Sequence, residues 1–267
     1  MTQLLSRQPV RRPPSSPFAS SYHLICSGEP QPTGGPVTPE VQARHTALRE
    51  AVLAPSFSCV AARASVNTSC YALGCYGDLT EAATTAALAQ DLARFVTDQD
   101  RMGSDFTSMI ATFGGAPESE EAFEAQLWAL LRALHRLDTA PYSPEVSADP
   151  RDPRFGFSFA GRAFFIIGLH PGSSRMARTL PFPALVFNAH RQFQALRDSG
   201  RYGRMQETIR ARELKLQGSL NPNLANHGEV TEARQYSGRA VEADWTAPFP
   251  QAPQAQAPKG RCPFGHS

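Results

Sequence analysis

Apolar positions recur at helical spacing in some stretches of this chain and gather into short runs in others. Thr38-Pro39-Glu40 opens the first expected helix, with a threonine cap before a proline at the first helical position and Val41, Leu48 and Val52 at helical intervals. Asp78-Leu79-Thr80-Glu81 opens an alanine-rich helix that runs to about Thr97. The clearest helix follows Ser119-Glu120-Glu121, with Phe123, Leu127, Leu130, Leu131 and Leu134 on one face; Trp128 and His135 read as packing residues of the same helix. A strongly charged helix is expected over Tyr202 to Gln217, ahead of an irregular, polar stretch from Asn221 to Arg239.

Extended structure is expected to begin near Tyr22 to Ile25. Ser58 to Gly77, with β-branched and aromatic runs broken by Asn67 and Gly74, predicts a hairpin, and Ser104 to Phe113 a strand. Phe155 to Phe159 and Ala163 to Leu169 flank a tight turn at Ala160-Gly161-Arg162 and predict a second hairpin. Leu185 to Phe187 predicts one more strand, after which Asn188 caps a helix running through Arg197. This order predicts an α+β fold, a single mixed domain of antiparallel hairpins packed by helices over residues 21–249. It has no regular βαβ alternation and no glycine-rich phosphate loop. The proline-rich residues 1–20 read as a disordered arm, and residues 250–267 as a flexible tail.

Composition narrows the function classes. The 267 residues carry 26 basic and 24 acidic side chains, a formal net charge of +2, which leaves no electrostatic footprint for nucleic acid or an anionic membrane. No apolar run is long enough to cross a bilayer, and no apolar signal core precedes the first folded segment, so a cytoplasmic protein is expected. Cys26, Cys59, Cys70, Cys75 and Cys262 are irregularly spaced and read as reduced, mostly buried small hydrophobes with no zinc box.

Three polar clusters interrupt the apolar pattern. In the first, His170 ends a buried strand and is followed by Ser173, Ser174, Arg175 and Arg178. Such a set can present an imidazole to a metal and forked guanidinium groups to carboxylates; the plainer reading is a strand end with solvated arginines. In the second, His190 stands in the first turn of a helix, where the helix N-terminus disfavours imidazolium; a half-exposed surface histidine is the alternative. The third runs from Glu229 to Arg239. Glu229 and Glu232 suit a guanidinium, Arg234 and Tyr236 suit a carboxylate, and a solvated loop with internal ion pairs is the alternative.

The succession FGFSFAGRAFFIIGLHPGSSRMAR, PALVFNAHRQFQALR, IRARELKLQGSLNPNL and GEVTEARQYSGR resembles the YqcI/YcgG family over nearly all of Phe155 to Trp245. That family includes haem-dependent enzymes that N-hydroxylate arginine or arginine-like guanidines in natural-product pathways. The resemblance implies a b-type haem (heme b) as cofactor, with His170 as the metal ligand in preference to His190. Ser173, Ser174, Arg175, Arg178, Arg234 and Tyr236 would anchor the cofactor, and His190, Glu229 and Glu232 would serve catalysis. It implies a monooxygenation: one atom of O2 enters a guanidine nitrogen and the other leaves as water. No flavin or nicotinamide fingerprint is present, so the two electrons needed would come from a separate electron-donor protein. The alternative on the same residues is a non-enzymatic haem-binding sensor or carrier. One departure stands out: family members often carry Cys-Pro-Phe shortly after the tryptophan, whereas here Trp245 precedes Thr-Ala-Pro-Phe and Cys262-Pro263-Phe264 lies at the C-terminus.

Overall fold

The computed structural model describes residues 20–102, 107–223 and 230–250. The expected arm, apart from its last residue, and all but the first residue of the expected tail lie outside the described residues, as do Glu229 and Cys262. The described residues form seven strands: β1 (Tyr22–Cys26), β2 (Glu29–Pro30), β3 (Tyr71–Asp78), β4 (Ser108–Gly114), β5 (Phe157–Phe159), β6 (Arg162–Leu169) and β7 (Ala184–Ala189). Six α-helices accompany them: α1 (Pro39–Leu53), α2 (Val60–Asn67), α3 (Ala82–Gln99), α4 (Glu120–Leu137), α5 (His190–Asp198) and α6 (Arg201–Gln217). The strands make one sheet in the order β2-β1-β3-β4-β7-β6-β5. Neighbours are antiparallel except β3 and β4, which run parallel and are joined through α3. The fold is α+β, as the pattern predicts, with a single βαβ crossover inside it.

Register explains the two faces. Met109, Phe187 and Ile166 stand opposite one another across β4, β7 and β6, and so do Ile110, Val186 and Ile167 one position along. Successive side chains point to opposite faces, so the first row joins a core with Leu88, Leu92 and Phe95 of α3 and Phe123, Leu127, Trp128 and Leu131 of α4. The second row faces Leu48 and Val52 of α1 and Val66 of α2. The caps follow the sequence: the Thr38 side chain accepts from the Val41 amide and Ser119 Oγ from the Ala122 amide.

Two expectations need correcting. Ser58 to Gly77 is not a hairpin. Val60–Asn67 is a helix whose Val66 packs with Leu48 of α1, and only Tyr71 onward is a strand. Tertiary burial outweighs the weak strand preference of two valines there. Asn188 does not cap α5 either. It belongs to β7, where its side chain accepts from Ser108 Oγ (2.6 Å) and donates to the Phe165 carbonyl (3.3 Å), and Ala189 precedes the helix with no side-chain cap.

Candidate functional site

The second face of the sheet is only partly covered by α1 and α2. Beyond them α5 and α6 close over it and leave a cavity of about 460 Å³. Its floor is apolar, with Ile110, Val186 and Ile167 from one cross-strand row and Phe165 from the next. Helix α6 presents Tyr202, Met205, Ile209 and Glu213, a helical stripe along one face, as part of the roof. Polar groups interrupt the apolar lining, among them His190, Glu232, Glu145, Gln192, Cys59 and Arg178. A largely apolar cavity with a handful of placed polar groups, in the size range of about 300–1,000 Å³, is the form small-molecule and cofactor sites take.

His190 is the first residue of α5, and Glu232 opens a short 3-10 turn (Glu232–Gln235) that runs beside β6. Their side chains meet, with His190 Nε2 2.7 Å from Glu232 Oε1. The same oxygen accepts a hydrogen bond from the Tyr236 hydroxyl at 2.7 Å. Tyr236 is fully buried, stacks on Trp128 at 5.6 Å, and its hydroxyl also accepts from the Phe157 amide at 3.1 Å. Its carbonyl accepts from the Gly168 amide, continuing the edge of β6 past the end of the short β5. Burial, then the neighbouring Glu232 carboxylate, pushes the Tyr236 phenol well above its ordinary range, so it stays protonated, with Glu232 Oε1 (2.7 Å) and the Phe164 carbonyl (3.2 Å) both in reach of its one proton. Room for the pair comes from Gly156: a Cβ there would stand 3.1 Å from Glu232 Oε1, 3.2 Å from His190 Nε2 and 2.8 Å from Val146 Cγ1.

His170 lies elsewhere. It follows β6, is 1% exposed, stacks on Phe123 of α4 at 4.4 Å, and is not among the residues lining the cavity. Both of its ring nitrogens are buried without a hydrogen-bond partner among the described residues. Burial lowers its basicity, opposed by Glu120, so the neutral ring is favoured.

The residues after His170 divide. Ser174 Oγ donates to Glu120 Oε1 and Ser173 Oγ accepts from the Arg175 amide, so both hydroxyls are used within the turn and at the start of α4. Arg175 is committed to Glu213 of α6 at 2.6 Å and to Ser219, and does not line the cavity. Arg178 does line it. Its guanidinium donates to the carbonyls of Gly168 (3.1 Å) and Gln235 (3.0 Å), and no carboxylate within ion-pair distance is found among the described residues. Burial pulls it down to about 10, which still leaves a cation at neutral pH. Arg234 is outside the cavity: it donates to the carbonyls of Glu242 (2.6 Å) and Trp245 (3.1 Å), with its guanidinium 6.0 Å from the Trp245 ring centre.

The structure therefore brings together three of the residues singled out in the sequence, His190, Glu232 and Arg178, with Tyr236 one hydrogen bond behind. It sets His170, Ser173, Ser174, Arg175 and Arg234 apart from that cavity, and Glu229 lies outside the described residues. Sequence reasoning missed Cys59, Glu145, Gln192 and Gly156. Only Gly156 left a signal, a glycine inside an aromatic strand pattern, which marks a close approach.

Among known proteins, two uncharacterized proteins of Bacillus subtilis (strain 168) are similar to this chain. YcgG is 30% identical over 68% of this chain and 76% of its own length, and YqcI is 26% identical over 67% and 74%. No solved structure matches. A match to the YqcI/YcgG family spans residues 48–250, taking in every residue that lines the cavity, and the chain belongs to that family.

Proposed function

We propose that this chain is a haem-dependent monooxygenase that hydroxylates a guanidine nitrogen of arginine or an arginine-like substrate. It would use O2 and electrons from a separate donor protein. The observation that carries the reading is the cavity itself: a roomy apolar space with one imidazole in its wall, that imidazole held from behind by a carboxylate. Metal-bound histidines characteristically donate their second ring nitrogen to such a carboxylate. Arg178, a cation at the cavity wall with no carboxylate within ion-pair distance among the described residues, suits a propionate. His190 is the histidine of the cavity wall that would hold the haem in place of His170, provided that its Nε2, the nitrogen that can approach a porphyrin iron, exchanges Glu232 for the metal.

Haem would supply the activation of dioxygen and the transfer of electrons. The chain's own residues would do the rest. The floor of Ile110, Val186 and Ile167 excludes water, and the roof of α6 shields the space from the other side. Glu145 is the carboxylate of the cavity wall available to orient a guanidinium.

The test is optical. The purified full chain, supplied with haem, should show a Soret band, and arginine should perturb it. His190→Ala should lose the band, whereas His170→Ala should keep it. No band after haem supplementation would remove the haem reading. A band that no guanidine perturbs would favour a carrier or sensor, and loss in His170→Ala alone would return the ligand role to that residue.

A further inference from the structure

Helix α6 covers the cavity without joining the body of the protein. None of its residues belongs to either apolar core of the described residues. Tyr202, Met205 and Ile209 line the hollow instead, and Glu213 is its one buried residue. Lifting such a helix uncovers little apolar surface, which places it at the low end of local stability. Glycines stand at both of its ends, Gly200 (φ +68°) and Gly218 (φ +72°), each in open space where a Cβ would meet nothing within 4 Å. Backbone torsions can change at those two positions without a clash. Beyond Gly218 the chain is fixed again, because Arg175 donates to the Ser219 hydroxyl (3.1 Å) and carbonyl (2.8 Å). The same guanidinium holds Glu213 at 2.6 Å. One turn on, Gln217 accepts from the Met176 amide (2.8 Å) and donates to the Ser174 carbonyl (2.7 Å). At the other end the Arg197 guanidinium lies 5.6 Å from the Tyr202 ring centre, where α5 meets α6.

We propose that α6 is a lid, turning on Gly200 and Gly218 to admit a ligand to the cavity and clasped shut by Glu213 on Arg175. Opening parts Glu213 from Arg175, yet the guanidinium keeps both bonds to Ser219, so the rest of the fold is left undisturbed. The pair is buried while the lid is closed, which makes closure sensitive to that one contact. Lid motions of this kind run on the microsecond to millisecond scale and set how fast ligands exchange. The lid serves whatever the cavity binds, and loss of the haem reading leaves it standing.

Entry of a fluorescent probe tests the lid. In stopped-flow mixing of anilinonaphthalene sulfonate with the haem-free full chain, the observed rate should level off at high probe concentration, at the rate of lid opening. Glu213→Gln should raise that plateau about tenfold or more, tenfold being about 1.4 kcal/mol of clasp energy. The dissociation constant should hold, since the clasp closes over the empty and the filled cavity alike. Arg175→Met/Glu213→Leu replaces the clasp by an apolar contact and should slow entry again. Ser119→Ala removes the cap of α4 across the sheet, weakens the fold without touching the lid, and should leave the plateau where it is. Val186→Trp fills the hollow from its floor and should remove the saturating phase. A wild-type rate that climbs in proportion to probe concentration overturns the proposal. So does a plateau that Ser119→Ala raises as much as Glu213→Gln does, or a saturating phase that survives Val186→Trp.

Discussion

Removing the charge of Glu213 should loosen the roof of the cavity. Glu213 is the one buried residue of α6, and its Oε1 meets Arg175 at 2.6 Å with both side chains about one-tenth exposed. Breaking one partner of a buried pair costs about 3–5 kcal/mol, because the other charge is left without a counter-ion in a place water reaches poorly. Glu213→Gln keeps shape and an acceptor oxygen, and Arg175 keeps Ser219 Oγ (3.1 Å) and the Ser219 carbonyl (2.8 Å). The lower end, about 3 kcal/mol, is therefore expected. At roughly 2–4 °C per kcal/mol for a domain of this size, the melting temperature should fall by about 6–12 °C. Denaturant unfolding gives the free energy, and hydrogen exchange should show protection lost first across residues 201–217. The double variant Arg175→Met/Glu213→Leu should recover most of the loss, since apolar residues of similar volume need no counter-ion. If Glu213→Gln melts like the wild type while Arg175→Met abolishes haem uptake, the ion pair is incidental and Arg175 is a cofactor anchor.

Other outcomes follow from particular contacts. Ser119→Ala removes the cap on the Ala122 amide and should cost about 1 kcal/mol in denaturant unfolding. Gly168→Ala should cost more, about 1–3 kcal/mol by the same measurement, because its Cβ would stand 2.7 Å from Phe123 and 2.8 Å from the Tyr236 carbonyl. Burial depresses both His45 and His170 below their ordinary value near 6.5. The folded state therefore binds fewer protons than the unfolded one, and stability should be full above pH 6.5 and decline as pH falls below it. His170→Phe should flatten that decline in pH-dependent unfolding curves; an unchanged slope would show that His170 titrates alike folded and unfolded.

The sequence reported some of this directly. Helix α4 was legible because its apolar residues recur at helical spacing behind a serine cap, and β5–β6 because Ala160-Gly161 turns with φ of +52° and +74°. Helix α2 was not, since eight residues with two valines carry too little periodicity to overrule strand preference, and it is the cluster that includes Leu48 and Val52 of α1 that makes Val66 a buried helical residue. The site divides in the same way. Residue types at positions 190 and 232 hinted at chemistry, but their meeting depends on a segment 42 residues later lying along β6. Arg175 read as free to bind a ligand because its partner, Glu213, is 38 residues away on a helix whose charges looked solvated.

The strand order also dictates when this protein can finish folding. β7 lies between β4 and β6 although it is the last of the seven to be synthesised. A nascent chain released only as far as α4 holds β4, with its buried Met109, Ile110 and Phe113, paired on one side and open on the other. That is an unsatisfied apolar edge of the kind that recruits other chains. Premature termination before Ala184 should therefore give insoluble product instead of a smaller stable domain. Slow translation between α4 and β7 should also raise the demand for chaperones.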